Sequence, residues 1–120
     1  MSTEWLFKHF LREEFDCPCC NFNNIDYDFV AKLELMREKL GMPFKITSGC
    51  RCEKHNKDAG GKPDSAHLKG LAADIAVTGS RTRFTLIRLA YGFFLRIGVG
   101  RTFIHLDDDK ALPQYVMWVY

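Results

Sequence analysis

Apolar residues recur at Phe29, Leu33, Met36 and Leu40, the spacing of one face of an α-helix. Asn24 precedes this stripe as a candidate N-cap, Asp26 and Asp28 suit the positive end of the helix dipole, and Gly41 fits the residue just past its end. The stripe reads as core. Residues 5–15 mix apolar and charged positions and predict a short helix or an ordered arm. Pro43 separates the first helix from a short strand at 44–47. Residues 50–64, rich in Gly, Asn, Lys and Asp, then read as a long loop, which a compact domain keeps most often as a binding surface. A chain turning at Gly70 enters a second strand at 71–77. The next pattern predicts a helix from near Ser80 to before Gly98, with 84–95 apolar almost all round and therefore buried on more than one side. Arg81, Arg83 and Arg88 are its solvated flank. Two β-rich runs, 102–106 and 115–120, straddle Asp107-Asp108-Asp109-Lys110 and are expected to pair as a hairpin, with Pro113 near its start. The fold class that follows is α+β: a small, mainly antiparallel sheet with helices packed on one face.

Composition narrows the function more than the fold. The 120 residues form a single domain, 1–120, with 1–14 as the N-terminal helix or arm; 47% hydrophobic and 27% charged residues are ordinary globular proportions. A net charge of +2 gives no basis for nucleic-acid binding. No apolar run reaches membrane-spanning length, and the first residues lack the apolar core of a signal peptide. The expectation is a monomer made in the cytoplasm, with no membrane insertion.

Five cysteines lie in two groups, Cys17-Pro18-Cys19-Cys20 and Cys50-Arg51-Cys52. The odd count argues against a pure disulfide framework. Reduced thiols come first, one or two disulfides formed after release come second, and a second, structural zinc comes last, because the spacing is not that of a standard zinc ribbon. None is expected to ligate a metal alongside His67, Asp74 and His105. The two groups are expected to lie together and tie the N-terminal segment to the Arg51 loop.

The chemistry concentrates in Ser65-Ala66-His67-Leu68-Lys69-Gly70-Leu71-Ala72-Ala73-Asp74 and in Phe103-Ile104-His105-Leu106-Asp107. Two imidazoles and a carboxylate can make a three-ligand zinc site with one position open, the pattern of catalytic rather than structural zinc; read from the residues alone, they are equally a loop histidine, a strand-end turn former and a satisfied strand histidine. The seven-residue step from His67 to Asp74 does not suit one helix face. It suits a loop that enters a strand, where Ala72 and Ala73 leave room beside Asp74.

Taken in order, Ser48-Gly49-Cys50-Arg51, Glu53-Lys54-His55-Asn56, Gly60-Gly61, the 65–74 run and Phe103-Ile104-His105-Leu106-Asp107 resemble the zinc D-Ala-D-Ala carboxypeptidase family. That family includes murein endopeptidases, phage endolysins and vancomycin-resistance dipeptidases, in a wider fold group with the hedgehog signalling domain. The resemblance runs from about Phe15 to Tyr120. It implies zinc ligands His67, Asp74 and His105, a substrate-positioning or carbonyl-polarising Arg51, and peptidoglycan stem peptides as substrate. Many relatives carry an acid three residues before the last histidine. Here Thr102 stands there, as in a branch with Phe-Val/Ile-His-x-Asp. Asp107, two residues past His105 on the same strand face, is then the candidate general base, or else the residue that orients His105. Ser65 either donates to substrate or fixes its loop. His55 is assigned a structural or supporting use, and His9 has no assignment. Cys50 replaces the aromatic usual before the arginine. A product of this kind reaches the cell wall after release or on a phage particle. The alternative is a non-catalytic zinc module of a virion or cell-wall-binding protein.

Overall fold

The computed structural model describes residues 4–120; residues 1–3 of the expected N-terminal arm lie outside it. Residues 4–11 form an arm without regular structure, followed by a 3-10 turn, Arg12–Phe15. The arm is held by an ion pair between His9 and Glu34 and by packing of Trp5 and Phe7 against Tyr27.

Helix α1 spans Tyr27–Leu40 and ends at Gly41, whose φ of 74° is the left-handed cap that glycine adopts without strain. Its N-cap is Asp26, which accepts from the Phe29 N–H at 3.0 Å, rather than Asn24. Asn24 is used elsewhere: its side chain donates to the Leu68 carbonyl at 3.1 Å, tying the start of α1 to the His67 loop.

Strand β1, Ile46–Ser48, is followed by a helix where a loop was expected. This is α2, Glu53–Asp58, whose N-cap is the Cys52 sulfur accepting from the His55 N–H at 3.4 Å. A 3-10 turn, Ala66–Lys69, carries His67 into β2, Ala72–Ala76. Helix α3, Ser80–Ala90, is shorter than its apolar pattern predicts. The remaining apolar run becomes β3, Arg96–Val99, which turns back into β4, Phe103–Asp107. Hence Phe84 and Tyr91 are exposed, and only Leu86 and Ala90 of α3 are buried.

The sheet order is β1-β2-β4-β3-β5, where β5 is Val116–Val119. All pairings are antiparallel except β3 with β5. The expected hairpin of β4 with β5 does not form. Both edges of β4 are occupied, by β2 and β3, so the last strand takes the outer edge of β3.

Strand alternation sorts the sheet into two faces. Ala73, Ile75, Ile97, Ile104 and Leu106 enter a core with Phe29, Val30, Leu33 and Met36 of α1 and Leu86 of α3. Asp74, His105 and Asp107 alternate with these core residues and so face the other way. The sheet is the floor of the site, and α1 and α3 are its foundation.

Candidate metal centre

The register of β2 against β4 sets Asp74 directly opposite His105, and Ala72 opposite Asp107. Asp74 Oδ1 lies 2.9 Å from His105 Nδ1 and 3.3 Å from His67 Nε2, all three residues being buried. Each offers a ligand atom, and those atoms lie within 4.8 Å of one another. Two nitrogen donors and one carboxylate oxygen, convergent and inside a pocket, are a donor set that fits zinc.

The tautomers are set from behind. His67 Nδ1 donates to the Gly49 carbonyl at 2.7 Å, which leaves Nε2 free to bind. His105 is mounted the other way round: Nε2 faces Asp107 Oδ2 at 2.7 Å, leaving Nδ1 toward Asp74. Orienting groups of this kind are what metal-binding imidazoles require. Electrostatics follow the same arrangement. Burial alone would raise the Asp74 carboxyl, yet the His105 and His67 imidazoles beside it hold it well below the usual carboxylate range. Burial would lower His105, but the Asp107 and Asp74 carboxylates on either side raise it.

The loop around His67 owes its shape to Gly70, at φ 70°. A Cβ there would meet the Asn24 carbonyl oxygen at 2.0 Å. Ser65 fixes this loop from within, its hydroxyl accepting from the His67 N–H at 3.2 Å, while also lining the pocket.

Arg51 reaches the site from the β1–α2 connection, its Nη2 3.7 Å from Asp74 Oδ2. Nε donates to Ser48 Oγ at 3.3 Å and Nη1 to Asn56 Oδ1 at 3.2 Å. Asn56 is itself buried and donates to the Lys62 carbonyl. Gly61 is where a side chain is excluded by this bracket, since its Cβ would lie 2.1 Å from Asn56 Oδ1. His55, by contrast, lies on α2 outside the pocket lining, where its backbone N–H donates to Cys52 Sγ. His9 belongs to the arm, paired with Glu34.

Asp107 is 1% exposed and both its oxygens are engaged. While Oδ2 faces His105, Oδ1 accepts from Arg96 Nε at 2.7 Å and from the Asp109 N–H at 3.2 Å. Arg96 in turn stacks over Trp118, 5.0 Å from the ring centroid. Arg96 and Trp118 went unnoticed in the sequence because their places depend on β3 pairing with β4 on one side and with β5 on the other. The detectable signal was Gly98, whose Cβ would lie 2.8 Å from the rings of Trp118 and Tyr120. Those rings, with Phe103, wall a pocket of about 720 Å³ over the metal-binding set; Arg51, Lys62 and Asp64 line it too.

Comparison with curated proteins finds no match. The family model Peptidase M15 matches residues 8–107, an interval that holds Arg51, Ser65, His67, Asp74, His105 and Asp107. With its α+β fold and its convergent His67, Asp74 and His105, this chain belongs to the M15 family of zinc-dependent peptidases.

Proposed function

We propose that this peptidase acts on peptidoglycan stem peptides, cutting a bond to or between D-amino acids as a D-Ala-D-Ala carboxypeptidase or murein endopeptidase. The observation that carries the reading is the pairing, in one pocket, of the His67–Asp74–His105 set with a bracketed, largely buried Arg51. Zinc held there supplies Lewis-acid polarisation of the scissile carbonyl and an acidified water. The protein's own contribution is orientation. Gly49 and Asp107 fix the two imidazoles, and Asn56 and Ser48 hold the guanidinium at the pocket.

Arg51 is suited to a substrate carboxylate or carbonyl, because its planar fork binds two oxygens at once. Trp118, Tyr120 and Phe103 give the pocket apolar walls for alanine-sized side chains. Asp107 is assigned as the positioning residue of His105 rather than as the general base, since neither oxygen is free to reach a water beside the metal. The protein works as a monomer that needs neither nucleic acid nor membrane insertion, and reaches the wall after release or on a phage particle.

A second reading, a non-catalytic zinc module, draws on the same geometry. Thr102 replaces the usual acid, and Asp74 and Asp107 are both committed, leaving Asp64 as the remaining acid lining the pocket among the described residues. The test is digestion of purified peptidoglycan by zinc-loaded protein, with and without chelator, reading released D-alanine or stem-peptide fragments. Chelator-sensitive release supports the peptidase. A zinc-loaded chain that releases nothing from any peptidoglycan chemotype sinks it in favour of the binding module.

A further inference from the structure

We propose that Cys17, Cys19, Cys20 and Cys52 form a second metal site, a tetrathiolate that holds one structural zinc ion and clamps the N-terminal segment to the Arg51 loop. Sequence spacing alone ranked this reading last. The fold changes that by bringing residues 35 positions apart into contact: Cys17 Sγ and Cys52 Sγ are 3.8 Å apart. Cys19 Sγ lies 3.6 Å from Cys17 Sγ and 3.3 Å from Cys52 Sγ. Cys20 joins them, all four sulfurs lying within 4.8 Å of one another. Four sulfurs at the zinc–thiolate bond length of about 2.3 Å stand about 3.8 Å apart at the corners of a tetrahedron. These three edges already approach that figure.

The surrounding backbone is arranged for thiolates. Cys17-Pro18-Cys19-Cys20-Asn21 is a tight turn in which the Asn21 N–H donates to the Cys17 carbonyl at 2.8 Å, and Asn21 takes the left-handed conformation at φ 63°. This turn aims three sulfurs at one point. The Cys52 N–H donates to Cys17 Sγ at 3.4 Å, and the His55 N–H to Cys52 Sγ at 3.4 Å. Donors directed at sulfur favour its ionised, metal-binding form. Cys50 stands apart, buried and donating to Asn23 Oδ1, so the odd fifth cysteine is accounted for. Soft, tetrahedral, all-sulfur sites select zinc among common divalent ions.

The position gives the site a use. Cys52 follows Arg51 directly and caps α2, the helix that carries Asn56 and so brackets the guanidinium. Closing four bonds across this seam fixes the Arg51 loop to residues 17–20. The site is separate from the His67–Asp74–His105 set and shares no ligand with it.

The test uses the whole chain carrying His67→Ala and Asp74→Ala, purified under reducing conditions with zinc and checked for folding by circular dichroism. Native mass spectrometry is expected to find one zinc on this variant and two on the wild type. The cobalt-loaded variant is expected to show thiolate-to-cobalt charge-transfer absorption. In the wild type, alkylation read by peptide mass is expected to spare Cys17, Cys19, Cys20 and Cys52 until chelator is added. A folded variant that carries no zinc, with those thiols alkylated at the same rate with and without the metal, would overturn the site. So would a Cys19–Cys52 disulfide in the reduced preparation. Because the variant lacks two of the three ligands of the His67–Asp74–His105 set, these outcomes are independent of whether the wild type cuts peptidoglycan.

Discussion

Asp107 meets His105 on the Nε2 side of the ring, 2.7 Å away, while Asp74 faces Nδ1 at 2.9 Å. The imidazole is thus gripped between two carboxylates with opposite assignments, one facing the pocket and one holding the ring in place from behind. Two residues of separation along β4 put both His105 and Asp107 on the site face, and Arg96 neutralises the buried carboxylate.

From this arrangement, Asp107→Asn is expected to weaken zinc affinity about ten- to a hundredfold, the usual cost of losing a group that orients a metal-binding histidine. Turnover at saturating zinc is expected to change far less. A titration with a competing chelator, run beside the activity assay, separates the two. A loss of about two to four orders of magnitude in turnover with unchanged zinc affinity would restore Asp107 as the general base.

Arg51→Ala is expected to raise KM, since it removes a clamp while leaving the metal-binding set intact. Asn56→Ala is expected to produce a smaller change in the same direction, because Nη1 of Arg51 loses its anchor at Asn56 Oδ1. Arg51→Lys is not expected to rescue, an ammonium being unable to make the planar two-oxygen contact. Steady-state kinetics on a stem-peptide substrate reads all three.

Gly70→Ala combines a positive φ with a 2.0 Å approach to the Asn24 carbonyl. The left-handed conformation alone costs a residue with a Cβ about 1–2 kcal/mol, and the clash adds to it. Thermal unfolding is expected at a lower temperature, accompanied by weaker zinc binding because the His67 loop must shift. Unaltered melting and affinity would contradict the assignment of Gly70 as the pivot of that loop.

The arm carries its own pH dependence. Burial tends to raise the Glu34 carboxyl, but hydrogen bonds from the His9 backbone and ring lower it below the ordinary 4.5. A carboxyl depressed in the folded state stabilises it above the unfolded value and loses that contribution as pH falls through the folded one. Wild-type stability is therefore expected to decline below about pH 4.5 through this group. Glu34→Gln is expected to flatten that part of the curve, as measured by denaturant unfolding across pH.

The chain's own order of residues determined a good deal. The stripe from Phe29 to Leu40 specified α1, because helical burial repeats at a period that a linear sequence displays. Gly41 and Gly70 marked turns at positive φ, a local demand that only the residue itself must meet. His67, Asp74 and His105 were singled out by the resemblance of their motifs to a zinc peptidase family, and only their placement on a loop and on strands followed from local pattern. Tertiary structure decided what depends on which strands become neighbours. Residues 93–99 are apolar enough for helix or strand, and only an edge offered by β4 makes β3 of 96–99. With both edges of β4 filled, β5 took the free edge of β3 and placed Trp118 and Tyr120 over Gly98, while the register of β3 against β4 brought Arg96 to Asp107. Asn56, the bracket of Arg51, depended on a short helix started by a cysteine cap that no periodicity announces. The meeting of Cys17 with Cys52 likewise belongs to the folded chain, because contact across 35 positions follows from the docking of Phe15 against Cys50, whose N–H donates to the Phe15 carbonyl, not from spacing.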